Sequence, residues 1–180
     1  MKNMPNMQRN KEIGSEFWFD FEPKEIASNS QETLVLSGRT AIDVIIKDIL
    51  KTRKVRNVYL PAYCCDSMID PFIRNGIDVK LYDIDYDGKL KYLIDADVET
   101  DIFYVNNYFG YENTISDKII EHFKHKGAII IYDKTHSLFM TNDATDALAD
   151  YTFASIRKWI CVVCGAVVCK KEGSFDVELK

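Results

Sequence analysis

The chain has 180 residues, of which 47% are hydrophobic and 28% charged, with a formal net charge of −5. Such a composition supports one globular domain with a sizeable core and excludes a disordered chain, and the acidic balance argues against a nucleic-acid partner. No apolar run reaches the roughly 20 residues a membrane helix needs, and the polar start MKNMPNMQRNKEIG lacks the apolar core of a signal peptide.

Residues 1–32 read as a polar lead-in, with EFWFDFE (16–22) holding aromatics that could dock on a partner surface. From residue 33 two patterns alternate. TLVLS (33–37) is a short apolar run, and Ala41, Ile42, Ile45, Ile46 and Ile49 then recur at helical spacing. KTRKVR (51–56) is the one small basic cluster, and a solvated helix end accounts for it. NVYLPAY (57–63) reads as a buried strand, and 66–75 as a short helix that Pro71 should kink or shorten and that ends near Gly76. VKLYDI (79–84) and DIFYVNNYF (101–109) read as strands, and 114–126 as a helix ending near Gly127. AIIIYD (128–133), DYTFASI (150–156) and GAVVCK (165–170) complete seven strands. Continuous apolar strands joined by helices predict an α/β fold: three layers, a mostly parallel seven-stranded sheet, helices on both faces.

Sheets of this kind bind ligands outside the carboxyl ends of their strands. Those ends carry SGRT (37–40), PAYCC (61–65), NNYFGY (106–111), DKTH (133–136) and SIRK (155–158). Ser37 can cap the following helix, and Gly38 permits close backbone approach. The free amides at that helix start can hold a phosphate, although an ordinary N-cap with a glycine turn has the same residues. No GxGxxG or GxxxxGK[ST] pattern is present, so dinucleotide and nucleoside-triphosphate folds lose support. Asp133 ends the most hydrophobic strand, where a carboxylate wants a cationic partner; it could equally cap the next segment. Lys158, beside Arg157 at a strand mouth, has the setting in which an amine can form a Schiff base, though a lone lysine is far more often a solvated charge. A phosphate cradle, a buried Asp and an imine-forming Lys at successive strand ends are what pyridoxal phosphate requires.

In this order the motifs become informative together: SGRTA, LPAYCCDS, a glycine before VKLYDID, YVNNYFGY, IIIYDKTHSLF, FASIRKW and GAVV. Over residues 33–171 the chain resembles the large domain of aspartate-aminotransferase-fold pyridoxal-phosphate enzymes, most closely the DegT/DnrJ type of sugar aminotransferase. The resemblance implies that Lys158 is the Schiff-base lysine, Asp133 the partner of the pyridine nitrogen, and Ser155 a phosphate ligand. It implies a contact from His136 to the ring substituents. Ser37, Gly38, Arg39 and Thr40 would form the phosphate-binding turn. The group stacked on the ring would come from Tyr63, Cys64 or Cys65, with Cys65 preferred, although relatives carry an aromatic ring there. Relatives also have a small residue pair where this chain has Lys134-Thr135, and a glycine-rich turn where it has WICVVCGA.

The implied activity is pyridoxal-phosphate-dependent transfer of an amino group from a small-molecule donor to a nucleotide-linked keto-sugar or related cell-envelope precursor. A homodimer in the cytoplasm is implied, with no membrane or nucleic-acid partner. Strand 165–170 would lie antiparallel beside strand 33–37. Relatives continue into a C-terminal small domain that closes over substrate. A chain ending at GSFDVELK, with a lead-in at 1–32 and a large domain at 33–180, is expected to be truncated and incomplete for catalysis. The alternative is a truncated or degenerate domain that binds the cofactor or a partner without turnover.

Other patterns carry less. Cys161-x-x-Cys164 has zinc or redox spacing, but no second pair of ligands supports zinc, and turn packing is the expectation. Five cysteines is an odd number, which does not suggest a secreted disulfide framework. His122 and His125 fit a solvated helix face, and DIDYDGK (83–89) a strand end and turn. The ten Tyr and ten Phe are interleaved with strand apolars, so core packing is expected of them.

Overall fold

The computed structural model describes residues 32–110, 115–139 and 144–175. The lead-in with its aromatic stretch 16–22, Tyr111 of the NNYFGY motif and the last five residues lie outside the described residues. Eight strands form one sheet in the order β1-β8-β7-β6-β5-β2-β3-β4. These are β1 Glu32–Val35, β2 Asn57–Pro61, β3 Asp78–Tyr86, β4 Leu90–Leu93, β5 Ile102–Asn106, β6 Ile129–Asp133, β7 Tyr151–Ala154 and β8 Ala166–Lys170. The block β7-β6-β5-β2-β3 is parallel. Strand β8 runs antiparallel between β7 and β1, as the resemblance implied for β1.

Among the described residues four α-helices join the strands: α1 Gly38–Thr52, α2 Asp66–Arg74, α3 Asp117–His125 and α4 Ala144–Leu148. Helix α1 is rich in β-branched residues, which lose side-chain freedom in a helix. Packing overrides that preference: Ala41, Ile42, Val44, Ile45, Ile46 and Ile49 repeat at helical spacing and are buried on the sheet. Tyr104, Ile131 and Phe153 meet that side of the sheet, with α1 and α2 covering it. Phe103, Val105, Ile130 and Tyr132 point to the other side, where α3 contributes Ile120 and Phe123. Alternate residues of the same strands thus feed two cores, which is the period-2 geometry of a sheet covered on both faces.

Several elements differ from expectation, among them the short helix α4, which no sequence pattern announced. Strand β4 is an eighth strand, paired antiparallel with β3 across a turn at Gly88, whose φ is 83°. Its sequence, LKYL, is short and alternates between exposed and half-buried positions, so no apolar run announces it. Strand β3 accordingly extends to Tyr86, through the acidic stretch read as a strand end. Pro71 does not stop α2; it is buried within the helix, which continues to Arg74. Asn75 then ends the helix, its side-chain amide donating to the Pro71 carbonyl at 2.7 Å and to Asp43 on α1 at 3.3 Å.

A buried polar tie fixes α1 against the sheet edge. The Asp48 carboxylate accepts from the Tyr151 hydroxyl at 2.7 Å and pairs with Lys170 at 2.7 Å, so α1, β7 and β8 share one group.

Truncating the core under α1 tests this packing. Ile45 is fully buried, so Ile45→Ala is expected to cost about 2–5 kcal/mol of unfolding free energy. Urea denaturation followed by circular dichroism checks it; a loss under about 0.5 kcal/mol, as for a surface change, contradicts it.

Candidate functional site

Strands β1, β2, β5, β6 and β7 deliver their carboxyl ends to one edge of the sheet. Asp133 is the last residue of β6 and is buried there. Its Oδ2 accepts from the Tyr104 hydroxyl of β5 at 2.9 Å, and its Oδ1 accepts from the Thr135 amide at 2.8 Å. The second bond closes a turn of the kind Asp favours, side chain to the amide two residues on. Burial pushes the Asp133 carboxyl above the ordinary carboxylate range; the bonds from Thr135 and Tyr104 and the nearby His136 pull it back only in part. Burial, together with the adjacent Asp133, pushes the Tyr104 hydroxyl up as well, so it remains a proton donor.

Thr135 carries the arrangement to the next strand. Its hydroxyl oxygen accepts from the buried Ser155 amide at 3.1 Å, and its carbonyl accepts from the Trp159 indole. Ser155 leads into a 3-10 turn, Ile156–Lys158. That turn is pinned from behind: the Ile156 amide donates to the Gly165 carbonyl at 3.1 Å, and the Gly165 amide to the Leu36 carbonyl at 2.8 Å. Gly165 has a φ of 137°, and a Cβ there would press on the Ile156 side chain at 3.1 Å. Cys161 and Cys164 lie in the turn that follows, between Lys158 and β8.

On the other side stands the start of α1. Ser37 is extended and caps the helix, its hydroxyl accepting from the Thr40 amide at 3.2 Å. A Cβ on Gly38 would sit 3.6 Å from the Ser155 Cβ, filling the gap between the helix start and β7 that glycine leaves open.

A cavity of about 330 Å³ opens between these elements. Ser37, Gly38 and Arg39 line one wall, and Asp133, Ser155 and Lys158 another. Cys65 reaches the cavity from the N-terminus of α2, exposed, with its thiol 2.9 Å from the Ser67 hydroxyl. Thr40 stands outside the lining, its hydroxyl 3.0 Å from that of Ser37, so it supports the cap rather than the cavity. His136 also lies outside the lining, beside it, where Nδ1 accepts from the Phe109 amide at 3.2 Å. Burial and the Lys158 charge lower its pKa, while Asp133 opposes them.

Sequence reasoning passed over several members. Thr135 and Tyr104 set Asp133, and Arg157 and Ser67 join the lining. The D-x-T spacing was a usable signal for Thr135. Tyr104 required the register that pairs Asn106 with Asp133 across β5 and β6. Asn106 itself is buried at that strand end, and its Oδ1 has no hydrogen-bond partner among the described residues.

The lining is electrostatically one-sided: Arg39, Arg157 and Lys158 face a single carboxylate, Asp133. Add capped helix amides, three serine hydroxyls and a gap beside Gly38, and the walls suit an anion with an attached ring. Pyridoxal phosphate, a phosphate carried on a protonatable ring, fits the chemistry of this donor set.

No family model matches the chain, and no curated protein matches it. Solved structures do. The N-succinyldiaminopimelate aminotransferase of Mycobacterium tuberculosis aligns with 78% of this chain and 42% of its own, at 17% identity and a TM-score of 0.59. NtdA from Bacillus subtilis, with bound cofactor PMP, aligns with 79% of this chain and 33% of its own, at 17% identity and a TM-score of 0.60. An apo cysteine desulfurase from Thermococcus onnurineus aligns with 79% and 38%, at 15% identity and a TM-score of 0.57. The chain thus spans less than half the length of the structures it matches. At these identities the likeness establishes the fold alone: the chain has the three-layer α/β architecture of the large domains of these structures.

Thr135→Val tests the tie between the two strand ends. Valine keeps the shape and removes the acceptor of the buried Ser155 amide. A destabilisation of about 1–3 kcal/mol is expected, measurable by urea unfolding. A neutral substitution means that the Ser155 amide does not depend on this bond.

Proposed function

We propose that this chain is the cofactor-binding part of a pyridoxal-phosphate-dependent aminotransferase. The observation that carries the reading is convergence: Ser37, Asp133, Ser155 and Lys158, from three separate segments, line one cavity. When bound, the cofactor would supply an electron sink for the bonds at the substrate carbon that bears the amino group. Ser37, Gly38, Arg39 and Ser155 would hold the phosphate, through hydroxyls, amides and one guanidinium. Asp133 would face the ring nitrogen. Held above its ordinary range when alone, its carboxyl ionises more readily opposite a cation, so each group favours the charged form of the other. Lys158 Nζ would hold the aldehyde carbon and, once released, move a proton at the substrate α-carbon.

The finer reading is that the acceptor is a nucleotide-linked keto-sugar and that the full protein works as a cytoplasmic homodimer. It rests on the DegT/DnrJ resemblance of the motifs. Exposed apolar side chains near the site, among them Tyr63, Phe109 and Phe139, are consistent with a covering surface.

Mixing the chain with pyridoxal phosphate tests the reading directly. A yellow imine is expected, fixed by borohydride on Lys158 and lost in Lys158→Ala. Asp133→Asn keeps the shape and one of the two acceptor oxygens but loses the charge, and is expected to weaken cofactor binding by about 1.5–3 kcal/mol, roughly tenfold or more. No colour at saturating cofactor overturns the proposal.

A further inference from the structure

The turn after β5 has a strained backbone. Phe109 sits at φ 60° and ψ 12°, in the left-handed region, the one non-glycine residue there among the described residues. That conformation is one an ordinary side chain rarely adopts. Gly110 follows at φ 65°, and a Cβ on it would come within 2.9 Å of the His136 carbonyl oxygen. Two successive left-handed residues therefore bring the turn flat against residue 136.

The contact has a direction. It points the Phe109 N–H at His136 Nδ1 at 3.2 Å and lays the phenyl ring on the imidazole, 5.6 Å between centroids and 16° between planes. The phenyl ring is 62% exposed, so core burial does not explain its placement. Tyr108 meets the imidazole edge-on at 6.2 Å, and its hydroxyl donates to the Tyr63 carbonyl, which anchors the turn to the segment after β2.

An imidazole nitrogen that accepts a hydrogen bond carries no proton, so in the neutral ring the proton is on Nε2. We infer that the Phe109–Gly110 turn is a positioning device that holds His136 as the neutral Nε2–H tautomer, a hydrogen-bond donor beside Lys158 and not a base. The charged groups that act on the ring are Lys158, which with burial disfavours the imidazolium, and Asp133, which favours it. On the proposed reading of the site, moving protons at the substrate carbon is then left to Lys158, and His136 serves an electronegative atom of cofactor or substrate. Backbone strain of this kind persists where the surroundings over-determine it, as at a functional site.

The tautomer can be read without any cofactor. Long-range ¹H–¹⁵N spectra of the labelled 180-residue chain, recorded across pH, report which ring nitrogen is protonated; the His136 signals are those lost in His136→Gln. The expected wild-type result is a protonated Nε2, a bare Nδ1, and a titration midpoint below that of an ordinary histidine. Phe109→Gly keeps the amide and the left-handed backbone, and should keep the tautomer. Gly110→Ala should displace the amide and leave two tautomers of comparable population, with an otherwise folded spectrum. A wild-type ring protonated on Nδ1 overturns the inference, as does a folded Gly110→Ala chain with the tautomer unchanged. If Gly110→Ala does not fold, the wild-type and Phe109→Gly spectra decide. Failure of the wild-type chain to form the imine overturns the proposed function and leaves the tautomer result standing.

Discussion

The buried carboxylate of Asp133 organises this end of the molecule. Its two oxygens take one hydrogen bond from Tyr104 on β5 and one from the Thr135 amide beyond β6. Thr135 in turn holds the Ser155 amide at the end of β7. Three neighbouring strand ends are thereby locked to one another by groups within the sheet edge, and the residues that face the cavity need not hold themselves in place. The cost is a carboxyl in a poorly solvated position, which shows as its raised pKa. A protein that needed only a turn after β6 could cap it with an exposed serine; a buried acid aimed at a cavity stores an unmet preference for a cation.

The start of the Lys158 turn is fixed from two sides. The Ser155 amide donates to Thr135, and the Ile156 amide to Gly165, which is itself tied to the end of β1. Lys158 closes the turn with an exposed side chain, its own amide donating to the Ser155 carbonyl at 3.4 Å. That combination suits an amine that must attach to one ligand and then swing to another, since long side chains supply reach while the turn supplies aim.

Much of this was legible in the sequence. The strands were, because runs such as IIIY and IFYV are apolar up to the polar residue that ends each strand, as strands buried on both faces are. Strand β4 was not, since LKYL is half solvated, and α4 was not, since ATDAL is too short to show a period. The candidate site residues were found by reading what stands at strand ends, a rule of topology rather than of motif. What the rule misses is pairing across strands. Tyr104 and Asp133 are 29 residues apart, and only the register of β5 against β6 brings them together. The Phe109–His136 contact was hidden for a different reason: phenylalanine gives no sign of a left-handed backbone, and only Gly110 beside it marks the turn.

The electrostatic balance of the cavity follows from these constraints. Arg39, Arg157 and Lys158 line the cavity with one buried acid among them, and burial and Lys158 disfavour a further positive charge on His136. Three cations beside one cavity of about 330 Å³ attract an anion. On the proposed reading a phosphate answers these cations near Ser37 and Ser155, while the buried acid is relieved by a cation. A ligand negative at one end and positive in its ring therefore satisfies both demands at once, and a simple phosphate or a simple amine satisfies only one. The polarity of the site, more than any single residue in it, is what favours the proposed phosphorylated heteroaromatic over the other small anions that a helix N-terminus would accept.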